Sequence, residues 1–78
     1  MKEQKIRNIY LIKDLARATG YSIYTLKYYL NLGLIKEFGR SPETGYRYFD
    51  DATVDRLKKI RVLRREGKSI KTILHELL

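Results

Sequence analysis

Three glycines, Gly20, Gly33 and Gly67, each close a stretch in which apolar residues recur at helical spacing, so the 78-residue chain is cut into short helices rather than one long one. Before Gly20, Ile12, Leu15 and Ala16 fall at i, i+3, i+4, and residues 10–19 are expected to form the first helix. Gly20 suits the left-handed position that ends a helix. Ser22 is a good N-cap for a second helix from about Ile23 to Leu32, because its hydroxyl accepts from an early backbone N–H. Ile23, Leu26 and Leu30 form that helix's apolar stripe and Gly33 ends it. Two short helices around a tight glycine-containing turn make a helix-turn-helix.

Residues 36–49 change character. Gly39, Ser41, Pro42, Glu43, Thr44 and Gly45 are turn formers, flanked by the β-favouring Lys36-Glu37-Phe38 and Tyr46-Arg47-Tyr48-Phe49. This predicts a two-stranded hairpin that leans on the helices, since two strands alone are marginal in water. Phe49 is expected to pin it to the core. Asp50 then caps a third helix to about Glu66, with Val54, Leu57, Ile60 and Leu63 inward and Gly67 as its stop. Ser69 caps a fourth, in which Ile70, Ile73, Leu74, Leu77 and Leu78 recur on one face. The expected fold is mainly α: four short helices with a two-stranded hairpin between the second and third. Residues 1–9 read as a polar, basic, loosely held tail, and residues 10–78 as a single domain.

Charge narrows the function classes. The formal net charge is +8 and Cys is absent, which excludes disulfides and thiolate metal sites. The excess of base points to a polyanionic partner, nucleic acid before anionic membrane. Residues 54–71 carry eight bases against Asp55 and Glu66, whereas residues 10–49 carry six against Asp14, Glu37 and Glu43. No apolar run approaches the roughly 20 residues that span a bilayer. The polar start, Met1-Lys2-Glu3-Gln4-Lys5, does not read as a secretory signal. His75 is the sole histidine, expected on the surface of the fourth helix, and Asp50, Asp51 and Asp55 are explained as a helix start. No nucleophile–base pair or ligand set is in sight, so neither an enzyme nor a metal or cofactor protein is expected. A membrane-surface helix would need a broader apolar face than the third helix offers.

With Ile23, Leu26 and Leu30 inward, the second helix shows solvent Tyr24, Thr25, Lys27 and Tyr28. A base, a hydroxyl and two aromatics suit contacts to phosphates and major-groove base edges. Composition alone leaves this beside a plain helical scaffold. Arg40 and Arg47 with Tyr46 and Tyr48 on a projecting ribbon add a second surface suited to phosphates and the minor groove.

These residues carry a resemblance. Leu15-Ala16-Arg17-Ala18-Thr19-Gly20, Thr25-Leu26-Lys27-Tyr28-Tyr29 with Gly33-Leu34-Ile35, Arg40-Ser41 with Gly45-Tyr46-Arg47-Tyr48-Phe49, and Leu63-Arg64-Arg65-Glu66-Gly67 with Ser69-Ile70 resemble, in order and spacing, the DNA-binding domain of the MerR family of bacterial transcription regulators. The resemblance spans Tyr10 to Leu78 and implies a winged helix-turn-helix. Residues 22–32 would enter the major groove, and wing 36–49 would sit on flanking phosphates and the minor groove. It implies contacts from Tyr24, Lys27, Tyr28, Arg40, Tyr46 and Arg47, with Arg61 and Lys68 near a second wing; Thr25 is expected to join them from its place on the outward face of the second helix. The expected partner is double-stranded DNA, with RNA polymerase a candidate second partner and the nucleoid in the cytoplasm the place of action.

The sequence also departs from the family. Lys27 stands where the family usually has Arg, which keeps the charge and loses the bidentate fork. Leu30 replaces a common acid, and Lys68 replaces a usual aromatic or large apolar residue. Family regulators usually continue into a long helix that pairs as an antiparallel coiled coil, and then into an effector-binding segment. The apolar face of the fourth helix still runs at Leu78, so a piece of a longer regulator is expected, dimeric only if such a helix follows. The alternatives are a naturally short DNA binder and an architectural or phage excisionase- or packaging-type protein without an effector domain.

Overall fold

The computed structural model describes residues 8–77. The elements run β1 (Ile9–Leu11), α1 (Ile12–Thr19), α2 (Ile23–Leu32), β2 (Gly39–Arg40), β3 (Arg47–Asp50), α3 (Asp51–Arg65) and α4 (Ile70–Leu77). Four helices and a wing between α2 and α3 give the winged helix-turn-helix expected from sequence. Gly20, Gly33 and Gly67 all sit at positive φ, at 81°, 79° and 90°, where a side chain would be strained. They end or follow α1, α2 and α3.

The wing differs from expectation in one important way: it belongs to a three-stranded antiparallel sheet in the order β1-β3-β2. Tyr10 pairs with Phe49 and Leu11 with Tyr48, so residues 9–11 form a strand, and α1 starts at Ile12 rather than at residue 10. Leu11 is extended at φ −78°, ψ 168°, and its N–H donates to the Asp14 carboxylate at 3.2 Å. Leucine and tyrosine fit a pleated, half-buried position as well as a helix, and tertiary pairing decides between them. Of the loose tail expected over residues 1–9, residues 1–7 lie outside the described residues, while Asn8 and Ile9 are tied in. Asn8 and Tyr10 both donate to Asp51, the tyrosine hydroxyl at 2.7 Å. The first wing strand is Gly39–Arg40 rather than residues 36–38. The Phe38 N–H extends that pairing, donating to the Tyr48 carbonyl at 2.8 Å.

The core gathers one or two side chains from nearly every element. Leu15, Leu26, Tyr29, Leu34, Ile35, Phe49, Leu57, Ile60 and Ile73 form one buried cluster. Burying each of the larger ones stabilises the fold by about 1.5–3 kcal/mol. The seam of α2 is Leu26 with Tyr29, Leu30 is half-buried, and Ile23 is 40% exposed, so the expected Ile23–Leu26–Leu30 stripe is rotated toward Tyr29. Tyr29 lies there because its ring meets the Tyr21 ring edge-on, with centroids 5.6 Å apart. On α3, Leu57 and Ile60 are fully buried, Thr53 joins them, and Val54 and Leu63 are only partly covered. The caps follow the sequence. Asp50 accepts from the Ala52 N–H, and Ser69 accepts from the Thr72 N–H.

Phe49 is fully buried on the strand that joins the other two. Phe49→Ala should cost about 3–5 kcal/mol in urea-induced unfolding; a loss under about 1 kcal/mol would show that β3 does not anchor the core.

Candidate nucleic-acid interface

Helix α2 owes its start to Ser22, whose Oγ accepts from the Thr25 N–H at 3.0 Å and donates to the Thr25 hydroxyl at 3.0 Å. The cap therefore engages Thr25, which is half-buried, and leaves the rest of the outer face free for a ligand. Tyr24 is 84% exposed and Tyr28 48%. Lys27 is also exposed, one turn along from Tyr24. With Leu26 and Tyr29 fixed in the core, these three side chains cannot rotate inward without unfolding the helix.

The wing is closed by a turn at residues 42–44, where the Gly45 N–H donates to the Ser41 carbonyl and the Ser41 N–H to the Tyr46 carbonyl. Register places Arg40 directly across from Arg47. Two like charges facing one another would repel, and Glu37 lies between them. Its carboxylate accepts from Arg40 Nε at 2.6 Å and from Arg47 Nε at 2.7 Å. The Arg40 hydrogen bond, together with both nearby positive charges, holds the Glu37 carboxyl below its ordinary range. Tyr46 projects from the same ribbon and is 63% exposed.

Between the start of α1, helix α2 and the wing lies an open cleft of about 370 Å³, lined by Leu11, Ile12, Lys13, Lys27, Gly45, Tyr46 and Arg47. Lys27, Tyr46 and Arg47, three residues singled out from sequence on two separate elements, thus share one concavity. Arg40 joins them through Glu37. The basic side chains and the tyrosine can donate to phosphate oxygens, and the aromatic face can pack on sugar or base.

The fold does not bring Arg61 and Lys68 to this cleft. Arg61 donates through Nη2 to the Thr19 carbonyl at 2.8 Å, and its guanidinium lies 4.5 Å over the Tyr21 ring. It bolts α3 to the end of α1. Lys68 pairs with Glu76 at 2.8 Å, and that partner raises the ammonium's pKa. Sequence reading passed over two residues. Lys13 is a polar-face residue of α1 whose place beside Lys27 depends on the helix-turn-helix packing, so no local signal marked it. Glu37 sits three residues before Arg40, which was legible, but its second partner, Arg47, follows only from the register of the wing. Among the described residues, no group of three or more His, Cys, Asp or Glu could hold a metal ion, and no helix is long and apolar enough to cross a membrane.

Comparison with known proteins bears on the fold and the family. The pattern of the MerR HTH family regulatory proteins matches residues 10–77. The nodulation protein NolA of Bradyrhizobium elkanii is 38% identical over 71 residues, 91% of this chain and 30% of that protein. The mercuric resistance operon regulatory protein of Bacillus cereus is 40% identical over 62 residues, 80% of this chain and 46% of that protein. The chain thus spans less than half the length of these curated relatives. A MerR-family transcriptional regulator from Bacillus cereus has the same fold, with a TM-score of 0.82 at 21% identity, covering 90% of this chain and 52% of that one. HiNmlR, a MerR-family regulator lacking the sensor domain, was solved bound to promoter DNA. It matches with a TM-score of 0.74 at 33% identity over 85% of this chain and 49% of that one.

The depressed Glu37 carboxyl gives a pH expectation for the wing. A carboxyl whose folded pKa lies below its ordinary value of 4.5 contributes its bridge above that pH and loses it as pH falls through the lowered value. An NMR titration from about pH 6 to about pH 3 should show the Arg40 and Arg47 Nε–H signals shifting together below about 4.5; signals that stay fixed, or move separately, would contradict a shared bridge.

Proposed function

The chain belongs to the family of MerR HTH regulatory proteins, and from that premise we propose that it binds double-stranded DNA sequence-specifically to regulate transcription, with α2 in the major groove and the wing on flanking phosphates and the minor groove. The observation that carries this reading is the cleft shared by Lys27 of α2 with Tyr46 and Arg47 of the wing, beside the exposed Tyr24 and Tyr28. A duplex laid along it meets α2 at the bases and the wing at the backbone, which is how the second helix of a helix-turn-helix reads DNA. Lys27 acts as a point charge that reaches a phosphate or a guanine edge. Tyr24 and Tyr28 supply hydroxyls and rings, and Thr25 offers its methyl group while its hydroxyl serves the cap. Arg40 and Arg47 neutralise phosphates across the wing.

Arg61 and Lys68 act second to these: Arg61 holds α1 against α3, and Lys68 reaches a phosphate by leaving Glu76. The role requires no catalytic step and no cofactor. RNA polymerase is a further proposed partner, as is a second copy of the chain where the natural protein continues into a coiled-coil helix. The proposed place of action is the nucleoid in the cytoplasm.

Selection from a random duplex pool, followed by fluorescence anisotropy on the recovered site, tests the reading. Lys27→Ala and Arg47→Ala should each raise Kd for that site by about tenfold or more. Lys68→Ala should weaken binding about equally on all sequences and reduce the slope of log K against log salt by about 0.9. Recovery of no preferred site, or a site indifferent to both Lys27→Ala and Arg47→Ala, would refute the assignment.

A further inference from the structure

We propose that Glu37 is a positioning residue of the DNA interface: it fixes the two wing arginines in place and holds back half of their charge, so that the wing discriminates between DNA sites instead of gripping any duplex. This rests on the DNA-binding reading above and goes beyond it, because an acid at a DNA surface ordinarily repels the ligand.

The geometry supports the role in three ways. First, one carboxylate takes the Nε of both arginines, Oε2 from Arg40 at 2.6 Å and Oε1 from Arg47 at 2.7 Å. Binding at Nε sets the plane of each guanidinium and leaves its Nη atoms unengaged among the described residues. Those nitrogens supply the fork that a phosphate takes. Second, the two arginines come from opposite strands in register. A single acid that holds both fixes their spacing as well as their directions, and it relieves the repulsion that would otherwise splay them. Long arginine side chains lose much rotamer freedom when they bind, and a prior anchor means that less is lost on contact. Third, all three side chains remain partly exposed, 53% for Arg40, 46% for Arg47 and 30% for Glu37. The bridge is therefore open to a ligand and is not a buried structural pair. The two arginines and the acid together carry a net charge of +1 where two free arginines would carry +2. Non-specific binding follows the number of phosphates neutralised, so the acid lowers the wing's attraction for arbitrary DNA while preserving its directed contacts.

The test measures affinity for the selected duplex and for a random duplex across a salt series, for wild type, Glu37→Gln, Glu37→Asp and Arg40→Ala/Arg47→Ala, and for Glu37→Gln in that double background. Glu37→Gln should steepen the salt slope on random DNA by about 0.9 and lower the selected-to-random affinity ratio about tenfold. Glu37→Asp keeps the charge but is one methylene short of bridging both arginines. It should lower the ratio while leaving the slope unchanged, a pattern that a merely structural role would not produce. In the Arg40→Ala/Arg47→Ala background, where no arginine is left to position, Glu37→Gln should leave the selected-to-random ratio unchanged. A ratio within twofold of wild type for Glu37→Asp, or an equal loss from Glu37→Gln without the arginines, would overturn the proposal. Wild-type protein that shows no preference for any duplex would instead refute the DNA-binding reading itself.

Discussion

Burial of Phe49 ties the wing to the helices, and most of the geometry follows from it. The residue lies on β3, which pairs with β1 on one side and β2 on the other. The next residue, Asp50, accepts from the Ala52 N–H and starts α3. A short stretch of chain thus joins the sheet, the core and the helix that closes the domain. A free two-stranded ribbon would be marginal in water. Here the third strand and a fully buried ring hold one end of β3, while its other end carries Arg47 outward. The same core fixes Leu26 and Tyr29, and so sets which face of α2 meets solvent. Wing and helix are positioned by one apolar cluster, which is why their side chains can converge on one cleft.

Charge is arranged differently from what its sum implies. The segment from 54 to 71 holds most of the excess, yet much of it is used internally. Arg56 donates to the Leu34 and Leu77 carbonyls, Arg61 to the Thr19 carbonyl and Arg64 to the Lys68 carbonyl. These guanidiniums satisfy backbone oxygens at helix ends and loops, where unpaired carbonyls would otherwise be left over. The cleft itself is less charged, and one acid bridges its arginines. Net charge draws a polyanion to the molecule, whereas placement decides which surface receives it.

Local chemistry made much of the fold legible. Glycine stops, Ser22, Asp50 and Ser69 as caps, and the turn formers of the wing are all decisions taken within a few residues. What the sequence hid was pairing at a distance. Tyr10 and Leu11 satisfy a helix pattern, but opposite Phe49 and Tyr48 they form a strand. Ile23 satisfies the α2 stripe, but Tyr29 fills the core through its contact with Tyr21, a residue of the preceding turn. The site divides in the same way. The outward face of α2 and the arginines of the wing could be read from residue type and position. Lys13 beside Lys27, and Glu37 between Arg40 and Arg47, exist only once the elements have packed.

On the proposed reading, DNA meets α2 and the wing rather than the more basic helix α3. An amide NMR titration of the chain with its selected duplex, at moderate salt, separates the two surfaces. The largest changes should fall at Tyr24, Lys27 and Tyr28 and at Arg40, Tyr46 and Arg47. Changes concentrated instead at Lys58, Lys59 and Arg65, with α2 and the wing unmoved, would contradict it.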